Sequence, residues 1–570
     1  MIRPRRLDQI GHPLHRLPVG GDELGAERHA RPEAGPVAEG VRCDDPVPAE
    51  QEAHERPPHP GGRVEQADEG HARDGRDERV KEPTVGQQHD RRVPRARGAI
   101  SAPWTAAALS GLALAASFPP AGLSLLAWFA AWPLLRAVRD ASWQRRLALG
   151  SLAGFVWSLG TVGSWLYPAT REHLAAGPAA AAALTAAAAW TYGGAYLAAL
   201  ALVYGWLPRP RWLAAPAALV LLEQLRTGVL GGAPWALLGQ TQHDVLPLAQ
   251  LAELTGVAGL SFLVLLPAAA AAEPRPARTV GLLTSAAAVA ATLLFGGIRL
   301  YALPAFDPGG EPDLAVVSGL NLAADPLAAY VAASATAPPA PLTVWPEAAV
   351  PGYLSDDPSA AGAVARAART RGWLLLGAPR HEISGGARRY FNSVLLFDAD
   401  GRLRNTYDKR RLVPFGERSP LPALSTVPRP FSAGTADAPL ATDRLRIGPL
   451  VCWEAIFPAL ARRYAEQGVD VLVNLTSDRD LGTGASQQLA FSRFRAIETR
   501  RWLVRASGTG ATVLVDPAGR VHRADTLHLG PPSGRAGRTI YVRFGETMSW
   551  LSAALLVALL LPHTANVWPR

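Results

Sequence analysis

The chain contains very little lysine, cysteine and methionine. These shortages limit the kinds of disulfide, active site and binding site that the protein can have. Of its 57 basic residues only Lys81 and Lys409 are lysines, and its two cysteines are Cys43 and Cys452. The two cysteines lie in regions that we place on opposite sides of a membrane, as the predicted membrane spans described below indicate. We therefore expect no disulfide framework. A lysine kept in a sequence that otherwise uses arginine indicates a position that needs a compact point charge instead of a planar fork.

Residues 1–98 have no aromatic side chain and are rich in charged residues, glycine and proline. Such a segment cannot bury enough apolar surface to offset its ordering entropy, so we predict a disordered polar tail. Its histidines fit no ligand spacing, and we predict no metal site. An alternative hypothesis is a misannotated start, with translation beginning at a non-Met codon such as that of Val93.

The net charge of the chain is +9, but its basic residues form no stripe with interleaved aromatic residues. We therefore expect no nucleic-acid partner. Nothing in the sequence requires a dimer.

Long uncharged runs dominate the middle of the chain and recur near its end. A bilayer span needs about 20 apolar residues, and the number of such runs argues against a large buried helical core. The predicted spans, eight in all, lie near 103–118, 121–138, 147–166, 176–206, 212–225, 246–272, 279–298 and 546–562.

Arginines in the connecting loops predict the orientation of these spans. Alternate loops carry most of them, and the opposite loops carry only Arg171 and Arg226. The arginines of the richer loops are Arg136, Arg139, Arg145, Arg146, Arg209, Arg211, Arg275 and Arg278. Because positive charge favours the cytoplasmic face, we predict that both termini are cytoplasmic in a plasma-membrane protein.

This orientation divides the chain into a seven-span domain over 102–298, an extracytoplasmic domain over 312–542 and a final transmembrane helix over 546–562. Glu223 and Arg226 lie at the outer end of the fifth span. Intramembrane carboxylates are functional candidates, the alternative being a helix end in interfacial water. Trp235 follows, and we expect it at headgroup level.

Three rare or well-placed residues of the extracytoplasmic domain predict covalent chemistry. Glu347 ends a strand over 342–346, Lys409 lies in a polar loop over 405–417, and Cys452 ends a strand over 446–451. Together they offer a base, a cation that stabilises an oxyanion, and a nucleophile. We expect nearby amide dipoles and the lysine to favour the thiolate. The alternative is a buried structural thiol, an unrelated lysine and a surface glutamate.

Three motifs of this domain resemble the catalytic motifs of the nitrilase (carbon–nitrogen hydrolase) superfamily. They are Trp345-Pro-Glu347, Tyr407-Asp-Lys-Arg-Arg-Leu-Val-Pro-Phe-Gly-Glu417 and Val451-Cys-Trp-Glu-Ala-Ile-Phe-Pro458. More narrowly, they resemble its membrane branch, the apolipoprotein N-acyltransferases. Leu222-Glu-Gln-Leu-Arg226, Ala233-Pro-Trp235 and Gly256-Val-Ala-Gly-Leu-Ser-Phe262 resemble membrane motifs of the same branch.

The resemblance implies an α-helical polytopic membrane domain joined to an α/β domain built as an α-β-β-α sandwich. It implies that Cys452 takes an acyl chain from a membrane phospholipid and passes it to the α-amino group of a diacylglyceryl-cysteine on an apolipoprotein. Glu347 would act as base, Lys409 would stabilise the oxyanion, and no cofactor would be needed. Glu417 would orient Lys409, with Trp453 and Glu454 beside the nucleophile in support.

Some stretches depart from the family pattern. Thr476-Ser-Asp-Arg-Asp-Leu-Gly482 stands where an Asn-Asp-Ala-Trp-Phe-Gly run is usual, and Ser507-Gly-Thr-Gly510 replaces an Asn-Thr-Gly segment. Val317-Ser-Gly-Leu-Asn321 ends the first strand where a Gln-x-Asn run is usual. Two alternatives therefore stay open: a nitrilase-like scaffold for a partner such as a polyprenol-phosphate glycosyltransferase, and an amide hydrolase.

Overall fold

The computed structural model describes residues 98–229, 232–303, 311–419, 427–479, 481–527 and 537–564. The predicted disordered tail lies outside these residues, except that Gly98 begins the first helix.

Apolar helices make up the first part of the described chain. They are α1 (Gly98–Ala116), α2 (Ala127–Ala130), α3 (Trp132–Val138), α4 (Trp143–His173), α5 (Pro178–Ala189), α6 (Ala195–Tyr204), α7 (Arg211–Gly228), α8 (Leu246–Ala249), α9 (Ala252–Ala272) and α10 (Ala277–Ala302). Short 3-10 turns cover Ser124–Leu126 and Leu238–Gln242, and a π-helical turn over Trp190–Gly194 joins α5 to α6.

Four helical segments of the described chain are long and apolar enough to cross a membrane: Trp143–His173, Pro178–Tyr204, Ala252–Ala272 and Ala277–Ala302. Shorter apolar helices cover Ala102–Ala116, Ser124–Val138 and Thr547–Leu561. Each of the eight predicted segments falls on helix, but the second is broken into short pieces. Length and composition thus identify four spans, and the finer count remains a prediction.

Glycines let two of these helices approach closely. A Cβ built on Gly154 of α4 would lie 2.0 Å from the carbonyl oxygen of Gly193 in the π-helical turn. Small residues at such crossings let helix backbones pack closely. This packing stabilises helix association in a membrane, where the hydrophobic effect does not favour it.

Contacts bring the arginine-rich loops together at one end of the helix bundle. Arg139 Nη1 donates to the carbonyl of Ala272 at 2.9 Å, and Arg146 Nε donates to the carbonyl of Val138 at 2.9 Å. Gly205 packs against the Arg146 guanidinium.

The second part of the chain contains two six-stranded sheets, ordered β12-β1-β2-β3-β4-β5 and β11-β10-β9-β8-β7-β6. The strands are β1 (Leu314–Val316), β2 (Leu342–Val344), β3 (Trp373–Ser384), β4 (Ala387–Phe397), β5 (Leu403–Asp408), β6 (Leu440–Ala441), β7 (Arg446–Val451), β8 (Val471–Thr476), β9 (Trp502–Ser507), β10 (Val513–Val515), β11 (Val521–His522) and β12 (Thr526–Leu527). Strands β1–β3 and β7–β9 are parallel, and the outer pairs are antiparallel.

The sheets pack face to face between helices, which gives four layers. The outer helices are α11 (Pro326–Thr336), α12 (Pro358–Arg371), α13 (Pro458–Glu466) and α14 (Gly484–Thr499). On β3, Leu374 and Leu376 pack with the α12 residue Val364, whereas Leu375 joins the core between the sheets. This alternation is the period-two pattern of a strand buried on both faces. The chain returns to the helix bundle through α15 (Ile540–Phe544) and α16 (Thr547–Thr564).

Candidate active site

Cys452 lies at a sharp junction between β7 and a 3-10 turn over Cys452–Ile456. Its φ is +49°, a left-handed conformation uncommon for a residue with a side chain. Asn474 Nδ2 donates to the carbonyls of Leu450 and Cys452, each at 3.3 Å, and so braces both sides of the junction. Strained backbone held by neighbours in this way is a frequent feature of functional sites.

Lys409 directly follows β5, where the sequence had predicted only a loop, and its side chain is 1% exposed. Its Nζ lies 3.0 Å from Glu417 Oε1 and 3.6 Å from Glu347 Oε1. Burial alone would lower the pKa of Lys409, but the two carboxylates raise it above its ordinary value. The lysine is therefore a fixed positive charge beside Cys452.

Glu347 follows β2 and is held at both carboxylate oxygens. Oε1 accepts a hydrogen bond from Asn392 Nδ2 at 2.8 Å, and Oε2 accepts one from the backbone N–H of Ser477 at 2.9 Å. Asn392 Nδ2 also lies 2.8 Å from Glu417 Oε1, so one amide bridges both carboxylates that flank the lysine. Sequence reasoning missed Asn392, whose only signal was an amide in an apolar strand.

Cys452 is partly buried, and the pKa of its thiol is raised to about 12. Burial is the largest cause and the Glu347 carboxylate adds to it, while Lys409 acts in the opposite direction. Lys409 thus favours the thiolate, as expected, but burial and the Glu347 carboxylate outweigh it.

Glu454 ties the segment that carries Lys409 to the segment that carries Cys452. Its Oε1 accepts hydrogen bonds from the backbone N–H groups of Arg410 and Arg411 at 2.7 and 3.1 Å, and from the Tyr407 hydroxyl at 2.8 Å. Its Oε2 accepts from the backbone N–H of Val451 at 2.8 Å. Burial raises the pKa of Glu454, and these hydrogen-bond donors act in the opposite direction because they stabilise the charged carboxylate.

Trp453 connects this site to the helix bundle. Its ring stacks on that of Trp235 with centroids 5.5 Å apart, and Trp235 in turn lies 5.1 Å from Trp165 of α4. Trp235 is 2% exposed and donates from Nε1 to Gln487 Oε1 at 2.6 Å. Protein thus covers the ring of Trp235, and its place at headgroup level stays a prediction.

Glu223 and Arg226 hold the loop that carries Trp235. Glu223 Oε1 accepts from the backbone N–H of Leu238 at 2.8 Å. Arg226 Nη2 lies 3.3 Å from the Trp235 carbonyl, and its guanidinium stacks on Tyr192 and Tyr196. Glu223 and Arg226 thus shape the loop, and within the described residues neither contacts Cys452.

A small cavity opens among the helices beside this loop. Its lining is apolar except for a few groups such as Glu223. Its residues are Leu114, Phe118, Ala131, Trp157, Tyr196, Leu197, Leu200, Leu219, Glu223, Ala236, Leu238 and Leu265.

The segments that depart from the family pattern border the site. Asn321 Nδ2 donates to the Glu347 carbonyl at 2.8 Å. Asp478 accepts from Arg505 Nη2 at 2.6 Å and from Ser507 Oγ at 2.6 Å. Asp480 of the altered run lies outside the described residues. Within the described ranges no group of three His, Cys, Asp or Glu side chains is arranged to hold a metal.

The fold and the site define a protein of the carbon–nitrogen hydrolase class, and residues 300–526 match the family model described as Carbon-nitrogen hydrolase. Residues 110–270 match the model described as Apolipoprotein N-acyltransferase N-terminal domain. The chain belongs to the apolipoprotein N-acyltransferase family.

Relatives named apolipoprotein N-acyltransferase match most of the chain. That of Geobacter metallireducens is 33% identical over 492 residues, which cover 79% of this chain and 92% of the relative. That of Caulobacter vibrioides is 32% identical over 499 residues, covering 78% and 92%. Among solved structures, an amidase from Nesterenkonia sp. is 22% identical, with 38% of this chain and 87% of that one covered at a TM-score of 0.29.

Proposed function

We propose that this protein transfers an acyl chain from a membrane phospholipid to the α-amino group of a diacylglyceryl-cysteine on an apolipoprotein. The observation that carries the proposal is the convergence of Glu347, Lys409 and Cys452 at strand ends, in a chain of this family. The tryptophan stack that joins Trp453 to the helix bundle supports a site supplied from the membrane.

In the first step Glu347 takes the proton of the Cys452 thiol as the sulfur attacks the phospholipid ester carbonyl. The raised pKa of the thiol supports this assignment, because a protonated nucleophile needs an adjacent base. Lys409 stabilises the oxyanion with a charge already in place. The ester C–O bond then breaks, and the proton on Glu347 passes to the departing lysophospholipid oxygen.

In the second step the lipoprotein amine attacks the thioester. Glu347 takes a proton from the attacking nitrogen, the C–S bond breaks, and that proton returns to the sulfur. Glu417 and Asn392 hold Lys409 and Glu347 in position through both steps. Glu454 keeps the segment that carries Lys409 next to the segment that carries Cys452. Trp453 and Trp235 form an apolar wall beside the nucleophile, and Glu223 and Arg226 maintain the Trp235 loop.

We further propose eight membrane crossings with both termini in the cytoplasm and the 312–542 domain outside. The gathering of the arginine-rich loops at one end of the bundle supports this orientation, because cytoplasmic loops carry the excess of arginine. The site then faces the outer leaflet, where both substrates are embedded.

The test is intact-mass analysis of detergent-purified protein after incubation with phospholipid, beside Cys452→Ala. We expect a gain of one fatty-acyl mass that hydroxylamine removes and that the variant lacks. A lipopeptide with a free α-amine should then discharge the adduct, and its N-acetylated counterpart should not.

Other results would favour the alternatives. A folded protein that takes no acyl group from any phospholipid favours the scaffold. Release of ammonia from small amides favours the hydrolase.

A further inference from the structure

Gln488 of α14 is a fully buried polar residue next to the nucleophile. Its Nε2 lies 3.8 Å from Cys452 Sγ. Its Oε1 accepts a hydrogen bond from Arg505 Nη2 at 2.9 Å. Because a guanidinium only donates hydrogen bonds, the amide oxygen must face Arg505 and the NH₂ group must face the sulfur.

Arg505 is itself fixed, so the amide orientation is set by a buried network. Its Nη2 also donates to Asp478 Oδ1 at 2.6 Å, and its Nη1 donates to the Ala511 carbonyl at 2.8 Å. Ser507 Oγ donates to the other oxygen of Asp478 at 2.6 Å. Turning the amide over would set two donors against each other inside the protein.

We propose that Gln488 is a further catalytic residue, whose amide N–H donates to Cys452 Sγ when the sulfur carries negative charge. This inference deepens the proposed function and rests on it. Negative charge develops on sulfur as its proton moves to Glu347 during attack, and again as the C–S bond of the thioester breaks. A hydrogen bond to a charged atom is stronger than one to a neutral thiol, so the contact favours both transition states.

The groups that act on this sulfur come from several elements. Glu347 and Asp478 oppose the thiolate, while Lys409 and the Thr476 hydroxyl favour it. Gln488 adds a neutral donor from α14. Its removal leaves the two carboxylates in place, and the thiolate becomes harder to form.

The test uses the full-length protein with Cys43→Ser, which leaves Cys452 as its only thiol. Gln488→Met keeps a similar side-chain length but removes the donor. We expect acyl-thioester formation with phospholipid to slow by about ten- to a hundredfold, the range for losing a hydrogen bond to a charged group. The pH profile of Cys452 alkylation by iodoacetamide should move to higher pH, which a purely structural role would not cause.

Gln488→Glu guards against misfolding of the first variant, because a carboxylate keeps a contact with Arg505 yet offers no donor. It should shift the alkylation profile in the same direction. Ser492→Ala is the matched control, since the Ser492 hydroxyl donates to the backbone carbonyl of Gln488 at 2.8 Å without reaching the sulfur. It should leave both measurements unchanged.

Wild-type alkylation profiles and acylation rates in a folded Gln488→Met or Gln488→Glu variant would overturn the proposal. Alkylation needs no lipid, which separates this failure from that of the proposed function. A wild-type protein that never accepts an acyl group overturns the proposed function, and the alkylation profiles still decide whether Gln488 acts on the sulfur.

Discussion

Lys409 illustrates how one residue can be required for its shape as much as for its charge. It is enclosed between Glu347 and Glu417 at 3.6 and 3.0 Å, in a space that leaves 1% of it exposed. A compact ammonium fits there, whereas the planar guanidinium of arginine is larger and directs its donors along fixed lines. The chain uses arginine at nearly every other basic position, so the exception has a local steric reason.

Lys409→Arg should therefore reduce the rate of acyl-thioester formation by at least about a hundredfold, since loss of one oxyanion donor alone costs about that much. Single-turnover mass analysis with phospholipid measures it. Arg402→Lys, at a side chain that is 72% exposed, is the matched control and should keep the wild-type rate. A Lys409→Arg protein within threefold of wild type would mean that charge alone suffices.

Glu498 of α14 gives a second prediction at the residue scale. Burial, helped by the charge of Glu546, raises its pKa to about 7, while Arg495 acts in the opposite direction. A carboxyl whose folded pKa exceeds its unfolded value adds stability below about pH 4.5, and that contribution is lost as pH rises through 7. The loss corresponds to roughly 3 kcal/mol at most.

Thermal unfolding in detergent between pH 5 and 8 tests this. Wild type should lose stability relative to Glu498→Gln as pH rises, because the amide does not titrate. Asp400→Asn, at an exposed carboxylate, should leave the pH slope as it is in wild type. Parallel curves for wild type and Glu498→Gln would contradict the raised pKa.

At the scale of elements, the site depends on how closely two strands meet. A Cβ built on Gly377 of β3 would lie 2.6 Å from Glu347 Cα and 2.7 Å from the Pro346 carbonyl oxygen. Both contacts are backbone atoms, which cannot move aside as a flexible side chain can. The position of Glu347 after β2 thus requires glycine on the neighbouring strand.

Gly377→Ala should destabilise the protein by about 1–3 kcal/mol, as overpacking does, and should slow acylation more than tenfold by displacing Glu347. Denaturation midpoints and acylation rates measure the two effects. Gly362→Ala in α12 is the matched control, because its Cβ would meet only the flexible end of Arg366 at 3.3 Å. This helical substitution should stabilise by up to about 1 kcal/mol. Equal behaviour of the two variants would contradict the steric argument.

The elements that sequence predicted well are those with clear end signals. Strand β7 is an apolar run with clear ends, and α12 ends at Gly372, whose φ is +90°. Strand β5 was missed because four of its six residues are at least partly exposed and polar, so no alternation marks it. The second predicted span consists of short helical pieces within Ser124–Val138, and its crossing of the membrane stays a prediction.

Glu347, Lys409 and Cys452 were candidates from the sequence because rarity and motif context single them out. Asn392, Asn474 and Gln488 were not, since common amides acquire a role only through long-range contacts. The burial of Trp235 was not predicted for the same reason: its partners Trp165, Trp453 and Gln487 are distant in sequence.

At the scale of the whole molecule, the helix bundle and the α/β domain are joined by specific polar contacts. Gln487 Nε2 donates to the carbonyls of Pro119 and Thr161, each at 2.8 Å, while its Oε1 accepts from Trp235. Glu253 of α9 pairs with Arg299 at 2.9 Å and also with Arg500. Since the arginine-rich loops gather at one end, we expect the end that carries these contacts to be the opposite, extracytoplasmic face.

Cysteine labelling of intact spheroplasts tests that orientation, in a Cys43→Ser, Cys452→Ala background. A membrane-impermeant maleimide should label Glu172→Cys and Asp400→Cys without permeabilisation. Asp140→Cys and Arg275→Cys should react only after the membrane is opened. All four positions are exposed in the structure, so accessibility depends on sidedness alone. The reverse pattern would place the acyl-transfer site in the cytoplasm, away from lipoproteins in the outer leaflet, and would contradict the proposed function together with the topology.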